Sequence, residues 1–277
     1  MAKKLLVFAN WLLAFWFFAS PVWAQQQEQE QEESQQQQEE LAKKSQNPIG
    51  NLISVPLENN FEFGVGPEDA TVYVLSLKPV YPVNLGKVNL INRFIMPVIY
   101  QEERVEGEGS EFGLGDLTYQ AFFSPADSGA VIWGVGPAFI IPTNTDERLG
   151  RDKWSVGPAA VVVARPGHWV FGGLVQNVWS VAGDSDEDDV NFLSFQYFIN
   201  YNFENGWYLT STPTITADWE ADEDERWTVP FGGGVGRLVR FGKQPVDFKL
   251  QAFWNAEKPD GGAEWALQFQ VKMLFPK

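Results

Sequence analysis

The last eleven residues alternate without a lapse. Trp265, Leu267, Phe269, Val271, Met273 and Phe275 share one parity, and Ala266, Gln268, Gln270, Lys272 and Leu274 the other. A period of two belongs to a strand, whose successive side chains point to opposite faces. One face here is wholly aliphatic and aromatic, and the other is mostly polar. An apolar outer face on a strand that closes the chain at an aromatic residue suits a β-barrel in lipid.

The pattern recurs. Val88, Leu90, Phe94, Met96, Val98 and Tyr100 oppose Asn89, Arg93 and Gln101. Leu193, Phe195, Tyr197, Ile199, Tyr201 and Phe203 oppose Ser194, Gln196, Asn200 and Asn202. Similar alternation runs over residues 207–219 and 246–255, and about twelve such segments can be counted from Asn51 onward. Soluble sandwiches also alternate, so two further features matter. Short connections (Ser124–Gly129, Arg165–His168, Glu204–Gly206, Gly242–Pro245) take turns with longer acidic ones (Gln101–Phe112, Pro142–Lys153, Ala182–Asp189, Glu220–Arg226). Bacterial barrels have short periplasmic turns and long extracellular loops in this way.

The second feature is the placement of tryptophan. Trp169 and Trp179 bracket one segment, and Trp207 and Trp219 another. Ten to twelve tilted strand residues cover roughly 25–28 Å of membrane normal, the height of the apolar band. Tyr100, Trp154, Trp169, Trp179, Trp207, Trp219, Trp227, Trp254 and Trp265 are therefore assigned to interfacial aromatic girdles. The expected fold is all-β: a closed antiparallel transmembrane β-barrel of about twelve strands with longer acidic extracellular loops. An even count puts both ends on the periplasmic side. Closure requires Trp265–Phe275 to pair with a first strand near Val55–Val65, since lipid leaves no open edge satisfied.

Three segments are distinguished. Lys3 and Lys4, the apolar run Leu5–Ala19 and the small-residue site Val22-Trp23-Ala24 read as a signal peptide over residues 1–24. Residues 25–46 form a Gln/Glu-rich low-complexity extension with one Leu and no aromatic residue, read as a disordered or transiently helical periplasmic segment. Residues 47–277 form the barrel. There is no Cys, which removes disulfides and thiolate metal sites, and a formal net charge of -16 argues against nucleic acid as a partner.

Aromatic-x-Val-Gly-Pro occurs at Phe63–Pro67, Trp133–Pro137 and Trp154–Pro158, and Phe231-Gly-Gly-Gly-Val-Gly236 is a related run. No helix and no Lys-Ser/Thr follows, so these are not phosphate loops. Gly in a strand marks bends and close approaches, and Gly134, Gly136, Gly232, Gly234 and Gly236 are expected to face inward and leave room. Asp184–Asp189 lacks the Gly and the Glu of a calcium loop. It reads as a solvated acidic loop, with loose divalent binding as the alternative.

The single His, His168, lies in a short turn away from any Ser-bearing strand centre, which disfavours a Ser-His-Asp triad. Glu58 and Glu62 remain a formal carboxylate pair, but charges inside a barrel more often set selectivity. No catalytic residue, metal site or cofactor is expected. Inward polar residues are the pathway candidates: Glu58, Glu62, Arg93, Asp116, Asn200, Thr212, Asp218, Lys249, Gln268 and Lys272, with Gln196, Thr214, Gln251 and Gln270 beside them. They either line a passage or plug it.

Several stretches are similar to one family. Asn59-Asn60-Phe61, Gly109-Ser-Glu-Phe-Gly-Leu-Gly-Asp116, Trp133-Gly-Val-Gly-Pro-Ala-Phe139, Gly206-Trp-Tyr-Leu-Thr-Ser211 and Gly242-Lys-Gln-Pro245 resemble bacterial outer-membrane "transporter" proteins. These are grouped with the phenol-degradation MetA-pathway barrels and often mislabelled neuromedin U. The resemblance covers nearly all of residues 47–277. It implies a Gram-negative outer-membrane barrel, porin-like, that moves small solutes passively, hydrophobic or aromatic compounds among them. A plugged structural or adhesion barrel with cation-binding loops is the alternative. Expected partners are outer-membrane lipid and lipopolysaccharide, a small solute, and the barrel-assembly machinery, although Pro276-Lys277 follow the aromatic that usually ends such chains.

Overall fold

The computed structural model describes residues 35–276 apart from 128, 184 and 186. The expected signal peptide lies outside the described residues. Fifteen strand segments form one sheet. They are β1 (Ile53–Val65), β2 (Ala70–Leu77), β3 (Val80–Asn84), β4 (Val88–Gln101), β5 (Glu111–Leu114), β6 (Leu117–Pro125), β7 (Val131–Ile141), β8 (Lys153–Ala164), β9 (Trp169–Gly183), β10 (Asn191–Asn202), β11 (Trp207–Ser211), β12 (Thr214–Asp218), β13 (Trp227–Phe241), β14 (Gln244–Glu257) and β15 (Trp265–Phe275). Three pairs, β2 with β3, β5 with β6 and β11 with β12, are each one stave interrupted by two residues. The barrel therefore has twelve antiparallel staves.

Two of the breaks fall at Pro79 and Pro213, which have no N–H to give to a ladder. The lumen repairs the second break, where Gln251 Oε1 accepts the Thr212 N–H at 3.0 Å. Closure occurs where the alternation placed it. β15 pairs with β1 from Ile53↔Phe275 to Phe63↔Trp265 without a register shift. A one-residue slip would turn Phe269 inward and Gln270 to lipid, so the two-faced pattern itself holds the register.

The outer face is apolar as expected. Trp133, Val135, Trp154, Leu209, Phe231, Leu250 and Trp254 are all exposed. The inner face is less uniform than the sequence suggested. On β4 to β10 the inward residues form an apolar cluster that includes Ile91, Phe122, Ile132, Val161, Val170, Leu174 and Phe198. The remaining inner wall, on β11 to β15 and β1, is mainly polar. The lumen thus has one apolar wall and one polar wall.

A second departure concerns the Gln/Glu-rich segment, which does bury part of itself. Residues 35–45 form a helix, here α1, in the mouth where the short turns lie. Leu41 and Ala42 pack against Leu52, Leu238 and Leu274. The following turn inserts Ile49 into the apolar cluster of the barrel wall. Composition pointed to a disordered or transiently helical segment without a core, because it counts one Leu and one Ala as too few. Two apolar residues suffice when a preformed barrel supplies the rest of the core. Among the described residues, no helix is long and apolar enough to cross a membrane.

Candidate lumen pathway and its two closures

The plug is held mainly by polar contacts. Gln46 and Asn202 exchange two side-chain hydrogen bonds of 2.8 and 3.0 Å. Gln38 donates to the Leu238 carbonyl at 2.9 Å. Ser45 Oγ donates to Asp247 at 3.2 Å, and its carbonyl accepts from Lys272 at 2.8 Å. Glu39 meets His168 Nδ1 at 2.9 Å and Lys43 at 2.8 Å. His168, set aside as a catalyst, therefore anchors the plug to a short turn.

Above the plug lies an inner chamber of about 380 Å³. Its polar groups, most of them on β11 to β15 and β1 with Arg93, Gln120 and Asn200 on the other side, are nearly all paired. Glu58 is paired with Lys78 and accepts from Gln270 at 3.0 Å. Asp247, almost fully buried, accepts from Tyr208 Oη at 2.8 Å and faces Lys272 at 3.8 Å. Gln251 donates to Thr212 Oγ1 at 2.8 Å and to Gln268 at 2.7 Å, and Gln268 donates to Asn60 at 3.0 Å. Arg93 donates to Gln120 at 2.8 Å, and Lys249 to Thr212 at 3.2 Å. Asn200 donates to the Val170 carbonyl at 3.3 Å. Each such bond has additional weight because an unpaired polar group in a low-dielectric wall is costly.

Beyond Thr118, Ile140 and Phe192, which line both spaces, an outer chamber of about 640 Å³ opens on the long-loop side. Its lining is largely apolar, with Val74, Pro97, Leu149 and Val190. Its roof is the loop between β7 and β8, which folds into the mouth. That loop makes a short 3-10 turn, Glu147–Leu149, capped by Asp146, which accepts the Arg148 N–H at 3.1 Å. Arg148 is paired with Asp146 and Glu111. Those hydrogen bonds hold the Asp146 carboxyl below its ordinary value. Arg151 spans to Asp218 at 2.8 Å and lies 5.0 Å over the Phe192 ring. Asp116 accepts the Arg151 N–H at 2.9 Å from the break between β5 and β6.

The candidate residues therefore divide. Glu58, Arg93, Asn200, Thr212, Lys249 and Lys272 line the inner chamber. Gln268 backs its network, Asp116 lines the outer chamber, Asp218 ties down the outer loop, and Glu62 lines neither space. Alternation did not reveal Lys78, Gln120, Gln176, Tyr208 or Arg151. Lys78 lies in a strand break and Arg151 in a loop. Gln176 is a lone polar residue between the inward Leu174 and Val178, and Gln120 shares its face with Thr118, Phe122 and Ser124. Gln176 was accessible to parity, since Trp169 and Trp179 on the same strand point outward.

The inward glycines leave less room than expected. A side chain at Gly134 would meet Ile49 of the plug at 3.3 Å, and one at Gly236 would meet the Tyr208 ring at 2.0 Å. Gly236 is thus the floor on which Tyr208 lies as it reaches Asp247. The nine girdle candidates are exposed or half-buried on the outer face. Trp265 stacks on Phe63 at 4.1 Å, Trp219 meets Trp227 edge-on at 5.4 Å, and Arg237 lies 4.9 Å over Trp207.

A closed barrel, apolar outside and part polar within, defines an outer-membrane β-barrel protein. The chain belongs to the family described as "Putative MetA-pathway of phenol degradation", whose model matches residues 55–271. It is similar in structure to the COG4313 outer membrane channel from Pseudomonas putida F1, with 19% identity and a TM-score of 0.63 over 83% of this chain and 97% of that one. More distant likenesses are to the CymD monoaromatic hydrocarbon channel (8% identity, TM-score 0.45, 82% and 88% covered) and the translocator domain of autotransporter NalP from Neisseria meningitidis (10%, 0.45, 93% and 96%). Among curated proteins, none matches the sequence. The protein resides in the outer membrane, and its surroundings are membrane lipid.

Proposed function

We propose that the protein is a passive outer-membrane channel for small apolar or aromatic solutes, without a catalytic step. One observation carries this reading. The two chambers meet at Thr118, Ile140 and Phe192 and present an apolar wall along one side. A wall of this kind lowers the cost of moving an apolar solute inward. The family's description, a pathway of phenol degradation, agrees with a small aromatic cargo. The aromatic residues at strand ends act as interfacial girdles, and export depends on cleavage of residues 1–24. The barrel-assembly machinery and lipopolysaccharide complete the expected partners.

The docked α1 favours a second reading, a barrel kept shut for a structural or adhesive role. The test is conductance of the mature folded protein in a planar bilayer, with and without phenol. Discrete steps whose amplitude falls when phenol enters support the channel. Silence from inserted protein, both intact and with residues 25–50 deleted, refutes it in favour of the closed barrel.

A further inference from the structure

The chain is strongly acidic, yet the space inside it is basic. The inner chamber is lined by Lys78, Arg93, Lys249 and Lys272 against only Glu58 and Asp247. The outer chamber adds Arg148, Arg151 and Lys153 against Asp116. The negative charge of the protein therefore lies elsewhere, largely in exposed loop carboxylates. The side chains that line the path thus carry the opposite sign to the chain as a whole.

The basic groups are not equally satisfied. Lys78 has Glu58, and Lys272 has Asp247 and the Ser45 carbonyl. Arg93 and Lys249 have no carboxylate within ion-pair distance among the described residues. Lys249 Nζ reaches the Thr212 hydroxyl. Arg93 reaches the Gln120 amide, and its Nε is buried with no hydrogen-bond partner. A buried guanidinium nitrogen without an acceptor is costly, and Arg93 is among the residues that line the chamber. Thr212 and Gln120 add polar groups on either side.

The rest of the wall on the Arg93 side is different in kind. Leu174, Phe198 and Ile140 line the same inner chamber, and Phe192 and Ile140 continue into the apolar outer one. An apolar surface thus leads from the outer mouth to two cations that have Glu58 in the same chamber but no carboxylate within ion-pair distance among the described residues.

We infer that the lumen binds an organic monoanion with an apolar body, such as an aromatic carboxylate. Its carboxylate occupies the space between Arg93 and Lys249, and its body lies along Phe192, Ile140 and Leu174. This deepens the channel reading and rests on it. Arg93 recognises the acid through its guanidinium, and Lys249 contributes a point charge. Ligand entry offsets one of the two positive charges, so affinity depends on the ionised head as well as on the body.

The test is 19F NMR titration of the intact mature protein in zwitterionic nanodiscs, with 4-fluorobenzoate and the neutral 4-fluorobenzyl alcohol as probes. The expected result is that the carboxylate binds at least about tenfold more tightly than the alcohol, as a charge-assisted bond requires. Arg93→Gln and Lys249→Gln, each verified as folded by heat-modifiable gel migration, each remove most of that difference and leave alcohol binding unchanged. Arg93→Lys restores part of it. Equal affinity for acid and alcohol overturns the inference, as does an acid preference that survives both substitutions. Displacement of 4-fluorobenzoate by inorganic phosphate at equal concentration also overturns it, because the site would then be a bare anion site with no role for the apolar wall. Absence of binding by either probe, in protein that conducts, overturns this site while leaving the channel reading intact.

Discussion

Replacing Leu41 by Ala tests whether α1 is a docked plug with its own local equilibrium. Leu41 is 9% exposed and packs against Leu52, Leu238 and Leu274. Truncating a buried Leu to Ala costs about 2–5 kcal/mol, and a site at a wet barrel mouth belongs at the low end, about 2 kcal/mol. The barrel's ladders do not pass through Leu41, so the loss falls on the docking of α1 rather than on the barrel. At 1.4 kcal/mol per decade, the undocked population rises about 30-fold. Trypsin reads this directly, because Lys43 and Lys44 lie within α1 and are cut only when the helix comes free. When reclosing is faster than cleavage, the rate follows the open population. The expectation is cleavage at Lys43 and Lys44 about 30-fold faster, with longer open events in a bilayer. Leu209→Ala, on the exposed outer face, leaves the rate unchanged. A rate for Leu41→Ala within about threefold of wild type would refute the argument.

Gly236→Ala puts a Cβ about 2.0 Å from the Tyr208 ring. The ring must leave and give up its bond to Asp247, so urea unfolding in liposomes should show a loss of about 3 kcal/mol. Tyr208→Phe keeps the ring and loses only the hydroxyl, and the same assay should register about 1–2 kcal/mol. Burial pushes the Glu39 carboxyl up, but hydrogen bonds and charges from Lys43 and His168 outweigh it and hold it below its ordinary 4.5. A depressed carboxylate stabilises the docked state above its unfolded value, and that contribution is lost as pH falls through the lower folded value. Hydrogen exchange of residues 35–46 should therefore lose protection progressively below about pH 4.5, and Glu39→Gln should flatten that dependence. Val135→Lys places a charge on the exposed face of β7 and should cost about 2–4 kcal/mol of folding in lipid. Gln196→Lys, on the chamber side, should cost far less, and equal costs would mean that the two faces are wrongly assigned.

The alternation of β15 and β4 is a local property, and it was sufficient to fix which side meets lipid, where the barrel closes and how many staves it has. Lipid acts on each strand separately and favours an apolar outer face, with polar residues such as Asn59 and Asn92 kept where a neighbouring Tyr bonds them, so that information is written residue by residue. The interior follows a different rule. A lumen residue meets whatever crosses from other strands, and such partners are far apart in sequence. Asp247 is paired with Tyr208 and Ser45, 39 and 202 positions away, and no periodicity encodes either contact. For the same reason α1 read as an unpacked tail, since Leu41 and Ala42 form a core only with Leu238 and Leu274 already in place. The basic lining of an acidic chain is likewise a matter of placement. Composition counts charges, whereas barrel closure decides which of them face the cavity and which face water.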